Sequence, residues 1–271
     1  TSSMAESFAW IPHRARLHEL AARYRRPDRW EAVSAELDRA IACDAELARE
    51  ARAVRELTFQ NLRPLPVAVP PSLLDRFAAA YARVPRERFV LPEDIALSVE
   101  DEPVPIEPGG MATVSAPHAY LLTAALLPLD PGDRLLELGT GTGYGAALAR
   151  LLVGPTGRVT TVELDARLHA RAARLLAGRA PDEAPVLAVA GDAADLAREL
   201  MEREQPNKVA FTFAIGDDPR ALVELLPEGG ALVAPVGAGD AQELVRFANG
   251  PSGVRRTTHG GVRYVTERHF G

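Results

Sequence analysis

Cysteine and long apolar stretches are scarce in this sequence, and each scarcity excludes a class of protein. Cys43 is the single cysteine among 271 residues, so neither an internal disulfide nor a cysteine metal cluster can form. No apolar run approaches the roughly 18 residues of a membrane span, and no basic start followed by an apolar stretch marks a secretion signal. These absences predict a cytoplasmic chain that contacts no membrane and holds no metal.

Positive charge is also low. The 31 Lys and Arg residues are outnumbered by 37 Asp and Glu residues, and the net charge of −6 disfavours a nucleic-acid-binding protein. Lys208 is the only lysine, and the dominance of arginine is attributed first to codon bias. Six arginines near the start are nevertheless a candidate contact surface for a carboxylate-rich peptide. They are Arg14, Arg16, Arg23, Arg25, Arg26 and Arg29.

Two patterns of apolar residues divide the chain near residue 70. Up to that point apolar side chains recur at helical spacing and predict two or three helices, with Cys43 buried among them. The stretch 63–71 holds four prolines and predicts an extended linker. We therefore expect an N-terminal helical extension over residues 1–70 and a main domain over 71–271. The first three residues are interpreted as a cloning remnant.

Beyond Leu121, short apolar runs alternate with amphipathic helices. Five runs have strand length and are almost continuously apolar, which is typical of a parallel sheet covered on both faces. They lie at 134–139, 158–164, 185–192, 209–215 and 231–237. Segments 243–248 and 262–270 are expected to add an antiparallel edge. The predicted fold class is therefore α/β, with a doubly wound, mostly parallel sheet.

A glycine-rich loop follows the first of these strands. Residues 137–144 read Glu-Leu-Gly-Thr-Gly-Thr-Gly-Tyr and lead into a helix. Glycine allows a tight turn and the close approach of a ligand, and the N-terminus of a helix offers free N–H groups. Glu163, 22 residues beyond Gly141, ends the next strand, a position that suits an acid binding ribose hydroxyls. A dinucleotide loop needs a glycine where this chain has Tyr144, so a nicotinamide cofactor is disfavoured.

The pattern E-x-G-x-G-x-G resembles the first motif of the S-adenosylmethionine (SAM) methyltransferases. Gly191-Asp192, after the third strand, resembles the acidic position that contacts adenine in those enzymes. The resemblance implies a SAM site, with S-adenosyl-L-homocysteine as a product; a tight turn without a ligand is the alternative. The implied binding residues are Glu137, Gly139, Thr140, Gly141, Gly143, Tyr144, Glu163, Leu164, Asp192 and Ala193.

A second segment narrows the resemblance to one family. Residues 113–118 read Thr-Val-Ser-Ala-Pro-His and resemble the T-[IV]-S-x-P-H signature of the protein-L-isoaspartate O-methyltransferases. With collinear matches further along, the resemblance covers about residues 71–268. It implies that Ser115 hydrogen-bonds the substrate carboxylate, with Thr113 and His118 as further candidate catalytic residues. A helix cap is the alternative role for Ser115, and packing is the alternative for His118.

The chemistry that the resemblance implies needs few catalytic groups. A carboxylate, with a reference pKa of about 4, is already ionised at neutral pH, so methyl transfer to it requires no general base. The protein would act by holding the reactants in line and excluding water.

The chain departs from the family pattern in two places. About 70 residues precede the matching region, and the stretch around the fourth strand, 207–216, lacks an expected aspartate and ends in bulky residues. These departures favour methylation of one aspartate in a ribosomally made, modified precursor peptide, giving an ester that cyclises to an aspartimide (succinimide). Repair of L-isoaspartyl residues in damaged proteins is the alternative.

Other classes of function fit less well. A small-molecule carboxyl methyltransferase would keep the glycine loop but have no use for the Ser115 segment. A non-catalytic scaffold would not need the intact loop with Glu163. A nucleic-acid methyltransferase is disfavoured by the acidic charge and by the lack of an N/D-P-P-Y segment after the fourth strand.

Overall fold

The computed structural model describes Glu19, Ala22 and residues 30–107 and 111–265, and its contacts divide the chain into two compact units. The first unit comprises residues 1–64 and 77–120, and the second comprises 65–76 and 121–271. The predicted boundary at residue 70 falls within a stretch that groups with the second unit. The six clustered arginines lie outside the described residues.

Within residues 30–62, two helices precede the linker, α1 (Trp30–Cys43) and α2 (Ala45–Gln60). Asp44 separates them, because its side chain accepts a hydrogen bond of 2.9 Å from the Leu47 N–H, a group that the start of a helix leaves without a partner. Cys43 is exposed, so its predicted burial is wrong. It follows the buried Ile41 by two residues, which turns it about 200° around the helix axis.

The segment that carries Ser115 belongs to the same unit as α2. It is framed by the end of α3 (Pro71–Arg83), by 3₁₀ helices at Arg86–Arg88 and Pro92–Leu97, and by the start of α4 (Pro117–Leu126). Between them, β1 (Val104–Pro105) pairs antiparallel with β2 (Thr113–Val114). Aromatic packing joins α2 to α3, since the rings of Phe59, Phe77 and Tyr81 lie 6.2 to 6.4 Å apart.

The second unit contains a seven-stranded sheet in the order β5-β4-β3-β6-β7-β8-β9. Its strands are β3 (Arg134–Leu138), β4 (Arg158–Glu163), β5 (Val186–Ala190), β6 (Lys208–Phe211), β7 (Ala231–Ala238), β8 (Ala241–Gly250) and β9 (Gly253–Val262). The first five are parallel and the last two antiparallel. The accompanying helices are α5 (Tyr144–Leu152), α6 (Ala166–Leu175), α7 (Ala193–Glu204) and α8 (Arg220–Val223). The predicted α/β class with an antiparallel edge is confirmed.

The outermost strand differs in position from the prediction. It was expected at 262–270, but β9 occupies Gly253–Val262 and residues 266–271 lie outside the described range. Gly253, at φ +96°, closes a tight hairpin with Gly250, so pairing resumes at once. Most side chains of β9 are exposed, and its arginines and threonines carry no apolar signal.

The sheet order positions the candidate site. Strands β4 and β6 lie on opposite sides of β3, so the chain reverses its direction of winding there. Ligands of doubly wound folds bind outside the carboxyl ends of the strands at such a point. The glycine loop follows β3 at this place. Within the described chain, none of the helices combines the length and hydropathy needed to span a bilayer.

Candidate active site

The glycine loop depends on left-handed backbone conformations. Gly139, Gly141 and Gly143 have φ values of +102°, +57° and +96°, which side chains of L-residues disfavour. The N–H groups of Gly139 and Thr140 donate to the Val162 carbonyl at 3.0 and 2.9 Å. These bonds hold the loop against β4, and Gly143 then begins α5.

The loop also approaches the end of β6 closely. A Cβ atom on Gly139 would lie 2.1 Å from Thr212 Oγ1 and 3.0 Å from the Phe213 ring. The Thr212 hydroxyl donates to the Gly139 carbonyl at 2.6 Å. Gly139 is therefore required by space as well as by conformation. Thr212 and Phe213 were noted in the sequence only as a bulky strand end.

Glu163 binds the loop directly. Its Oε2 accepts the Gly141 N–H at 2.7 Å, and its Oε1 accepts the Asp165 N–H at 3.0 Å. Burial raises the pKa of Glu163 above its ordinary value, although these two N–H donors oppose the increase. Each carboxylate oxygen retains a further lone pair, so the side chain can also accept from ligand hydroxyls.

A hydroxyl chain leads from the loop to a buried acid. Thr140 Oγ1 lies 2.6 Å from Thr161 Oγ1, which in turn donates to Glu137 Oε1 at 2.7 Å. Burial raises the pKa of Glu137 to about 7, against the Thr161 hydrogen bond and with the nearby charge of Glu163 adding to the increase. Sequence reasoning missed Thr161. A polar residue within the otherwise apolar run of β4 was the available signal.

The remaining predicted cofactor residues lie at the same end of the sheet. Asp192 caps α7, where its side chain accepts the Ala194 N–H at 2.8 Å, and Ala193 is buried beside it. Leu164 follows Glu163 and is half-buried, and Tyr144 is fully buried at the start of α5. The parallel register places the ends of β3, β4 and β5 side by side. The structure therefore brings this predicted set together.

The Ser115 segment is held by its backbone. The Ser115 N–H donates to the Tyr120 hydroxyl at 3.2 Å, and its carbonyl accepts from Arg86 Nη2 at 3.0 Å. Thr113 lies just before it in β2, opposite Pro105. Ser115 itself is half-buried, as is its neighbour His118. These three predicted residues belong to the first unit, whereas the predicted cofactor residues belong to the second.

His118 is oriented by an acid that sequence reasoning missed. Both its backbone N–H and its Nδ1 lie 2.9 Å from Asp101 Oδ1, and Asp101 Oδ2 accepts the Arg63 N–H at 2.9 Å. Burial would raise the pKa of Asp101, but the hydrogen bonds from Arg63 and His118 outweigh it and lower that pKa. No cluster of three or more metal-ligating side chains occurs among the residues that the structure describes.

These residues fall within a region shared with known enzymes. Residues 72–269 match the family model of the protein-L-isoaspartate(D-aspartate) O-methyltransferases. The chain belongs to this family. It is therefore a SAM-dependent methyltransferase, and the predicted family and cofactor are confirmed.

Protein-L-isoaspartate O-methyltransferases from archaea are among the similar proteins. Enzyme 2 of Archaeoglobus fulgidus is 37% identical over 191 residues, which cover 70% of this chain and 83% of that protein. The Methanopyrus kandleri enzyme is 38% identical over 194 residues, 70% of this chain and 82% of its own. Both predicted segments, 113–118 and 137–144, lie within the residues 72–269 that match the family model.

Two solved structures share the fold. A protein-L-isoaspartate O-methyltransferase superposes with a TM-score of 0.66 at 24% identity, covering 80% of this chain and 66% of its own. A Plasmodium falciparum structure described as a member of the family, in complex with S-adenosyl-L-homocysteine, gives a TM-score of 0.62 at 19% identity. The match covers 80% of this chain and 98% of that one. At these identities the likeness supports the fold alone.

Proposed function

We propose that this methyltransferase esterifies L-isoaspartyl residues of damaged proteins. The observation that carries the proposal is the family match over residues 72–269, which includes the Ser115 segment and the glycine loop together. Relatives such as the Archaeoglobus enzyme, named for L-isoaspartate, support this substrate better than the modified precursor peptide favoured in the sequence.

The described residues suit SAM. Three glycines with left-handed backbones form a tight turn at the end of β3, and Glu163 keeps lone pairs that can accept from ribose hydroxyls. Asp192, two residues beyond the end of β5, is proposed to accept a hydrogen bond from adenine. When bound, SAM supplies an electrophilic methyl group on a sulfonium. The substrate carboxylate is already ionised, so these side chains need only bind, orient and exclude water.

Ser115 is proposed to hydrogen-bond that carboxylate. Because its N–H and carbonyl are both engaged, the backbone determines where its hydroxyl lies. We expect Ser115→Ala to lower kcat/KM for an isoaspartyl peptide by about tenfold, since a hydrogen bond to a charged group contributes roughly 1.5–3 kcal/mol. The Kd for SAM, measured by calorimetry, should stay within about twofold of wild type.

A serine elsewhere provides the control for this substitution. Ser252 is exposed in the β8–β9 hairpin, and Ser252→Ala should leave both constants unchanged. Full activity of Ser115→Ala on the peptide would contradict the proposed role of Ser115.

The substrate itself can be tested with a matched pair of peptides. The two peptides have one sequence and differ only in an isoaspartyl or an aspartyl linkage at one position. After incubation with SAM, mass spectrometry should detect methyl gain on the isoaspartyl peptide, followed by loss of methanol as the succinimide forms. The aspartyl peptide should remain unmethylated. Methylation of the aspartyl peptide alone would reject the repair function.

One observation favours a second candidate, the methylation of an aspartate in a modified precursor peptide. Thr212 and Phe213 fill the space beside Gly139, where Phe213 also packs edge-on against Phe211 at 5.5 Å. This crowding would suit a substrate of one particular shape. Adding macrocyclic aspartyl peptides to the same assay tests the candidate, and methylation confined to them would establish it.

A further inference from the structure

Residues that precede the family match contact other segments of the compact unit that they share with Ser115. The match begins at residue 72, but Arg55 on α2 is buried against the segment beyond it. Arg55 Nη1 donates to the two oxygens of Glu87 at 3.2 and 3.0 Å, and its Nε and Nη2 donate to the Ala82 carbonyl at 3.2 and 3.0 Å. The whole guanidinium group is therefore engaged with residues 82–87.

The ion pair between Arg55 and Glu87 is almost completely buried. The side chains are 4% and 1% exposed. Removing water from two charges is costly, and a buried carboxylate that loses its partner is strongly unfavourable. Glu87 therefore depends on a residue that the family match does not include.

Glu87 lies next to the residue that holds Ser115. Both belong to the 3₁₀ helix Arg86–Arg88, and Arg86 is fully buried. Arg86 Nη1 donates to the carbonyls of Ser98 and Glu100 at 2.9 Å each. Its Nη2 donates to the carbonyls of Glu102 and Ser115 at 2.6 and 3.0 Å. Fixing Glu87 therefore fixes the short helix from which Arg86 reaches Ser115.

A second set of contacts, made by Thr58 and Arg63, involves the loop that holds His118, on the other side of Ser115. The Arg63 N–H donates to Asp101, which also accepts from the backbone and the ring of His118. The Arg63 side chain pairs with Glu102. Thr58 Oγ1 donates to the Val99 carbonyl at 2.7 Å. Residues 55–63 thus contact loop 98–102 and, through it, both flanks of Ser115.

We infer that residues 55–63 form a brace that positions the Ser115 segment, with Arg55 as its principal positioning residue. Aromatic packing of Phe59 on α3 would be enough to attach α2. The polar contacts, by contrast, converge on the residues that hold Ser115 and His118. The inference rests on the proposed function, because it takes Ser115 as the group that binds the substrate.

The test compares two arginines of the same helix in the full chain. Arg55→Met removes the buried partner of Glu87, whereas Arg52→Met removes an exposed ion pair with Glu56. We expect Arg55→Met to lower kcat/KM for the peptide that wild type methylates by at least about tenfold, since misplacement of about 1 Å can cost a hundredfold. The Kd for SAM should change less than twofold, and Arg52→Met should match wild type in both.

Hydrogen–deuterium exchange supplies a readout independent of the substrate. In Arg55→Met, amides 111–118 should exchange at least tenfold faster, while those of 134–144 keep their wild-type rates. Arg55→Lys retains the charge, so its peptide kcat/KM and its amide exchange rates should lie between those of Arg55→Met and wild type. If wild type methylates no isoaspartyl peptide, the proposed function fails, and the exchange result alone decides on the brace.

A double variant keeps the inference testable if the single variant does not fold. If Arg55→Met does not fold, Arg55→Met/Glu87→Met removes both charges of the buried pair and should fold with the same selective loss. Wild-type peptide kinetics in either folded variant would overturn the inference. An equal loss of peptide kcat/KM and SAM affinity would also overturn it, because that pattern indicates a general loss of structure.

Discussion

Gly139→Ala should lower the affinity for SAM by at least about a hundredfold. The backbone at Gly139 has φ +102°, and an L-residue in a left-handed conformation costs roughly 1–2 kcal/mol. The added Cβ would lie 2.1 Å from Thr212 Oγ1, which is itself bonded to the Gly139 carbonyl. The loop must therefore move away from β6, and displacements of about 1 Å can cost a hundredfold. Calorimetric titration with SAM measures the effect.

Two variants separate the causes of this loss. Gly154 has φ +63° and open space around it, so Gly154→Ala carries the conformational strain without a collision. It should lose about 1 kcal/mol of stability and keep its affinity for SAM. Gly139→Ala/Thr212→Ala removes the nearest colliding atom and should regain part of the affinity. Wild-type affinity in Gly139→Ala would show that SAM binds elsewhere.

The second large effect is a pH-dependent stability caused by Glu137. Burial raises the pKa of Glu137 to about 7 in the folded protein, from an ordinary value of 4.5. Between these values the folded state binds more protons than the unfolded state. The free energy of unfolding therefore falls as pH rises from about 4.5 to 7, by up to ~3 kcal/mol. Glu137→Gln keeps an acceptor for Thr161 and should remove this fall, so the variant should be the more stable protein at pH 8.

Urea unfolding between pH 5 and pH 8 measures this difference. Glu224→Gln, in an exposed pair with Arg220, is the matched control and should follow the wild-type curve. Parallel curves for wild type and Glu137→Gln across this range would contradict the prediction. They would indicate that Glu137 is ionised at its ordinary pKa within the folded protein.

The departures from the family pattern and the named relatives favour different substrates. The extension and the bulky end of β6 first favoured a precursor peptide. The relatives, however, are named for L-isoaspartate, and the contacts of Arg55 give the extension a role within the molecule that needs no special substrate. The bulky strand end remains the observation in favour of the precursor peptide. The peptide assay decides between them.

The predictable parts of the fold were those with a strong local pattern. Strands such as β3 and β4 are almost wholly buried and alternate along the chain with amphipathic helices, so their class and order followed from the pattern of apolar residues. Strand β9 was misplaced because it is polar and borders solvent on its outer side. Cys43 was misjudged because its surroundings in the chain are apolar while its position on α1 is not.

In the candidate site, too, the features with a local sequence pattern were predicted and the contacts between distant residues were not. Glycine spacing and the acid at the end of β4 located the loop, since both lie within one strand–turn–helix–strand unit. Spacing did not predict that Glu163 would bind Gly141, or that Glu137 would be buried under Thr140 and Thr161. Such contacts depend on the register between adjacent strands, which the spacing of residues in one segment does not determine.

The linear order of residues is enough to establish an α/β methyltransferase with a SAM loop and the Ser115 segment of its family, because motifs and periodicity are local properties. The contacts of the extension are seen only in the folded molecule. Arg55 and Glu87 are 32 positions apart, and Arg63 and Asp101 are 38 apart. No local pattern pairs such residues. They meet because the end of the extension packs on the segment 77–120, where burial makes the charges of Arg55 and Glu87 depend on each other.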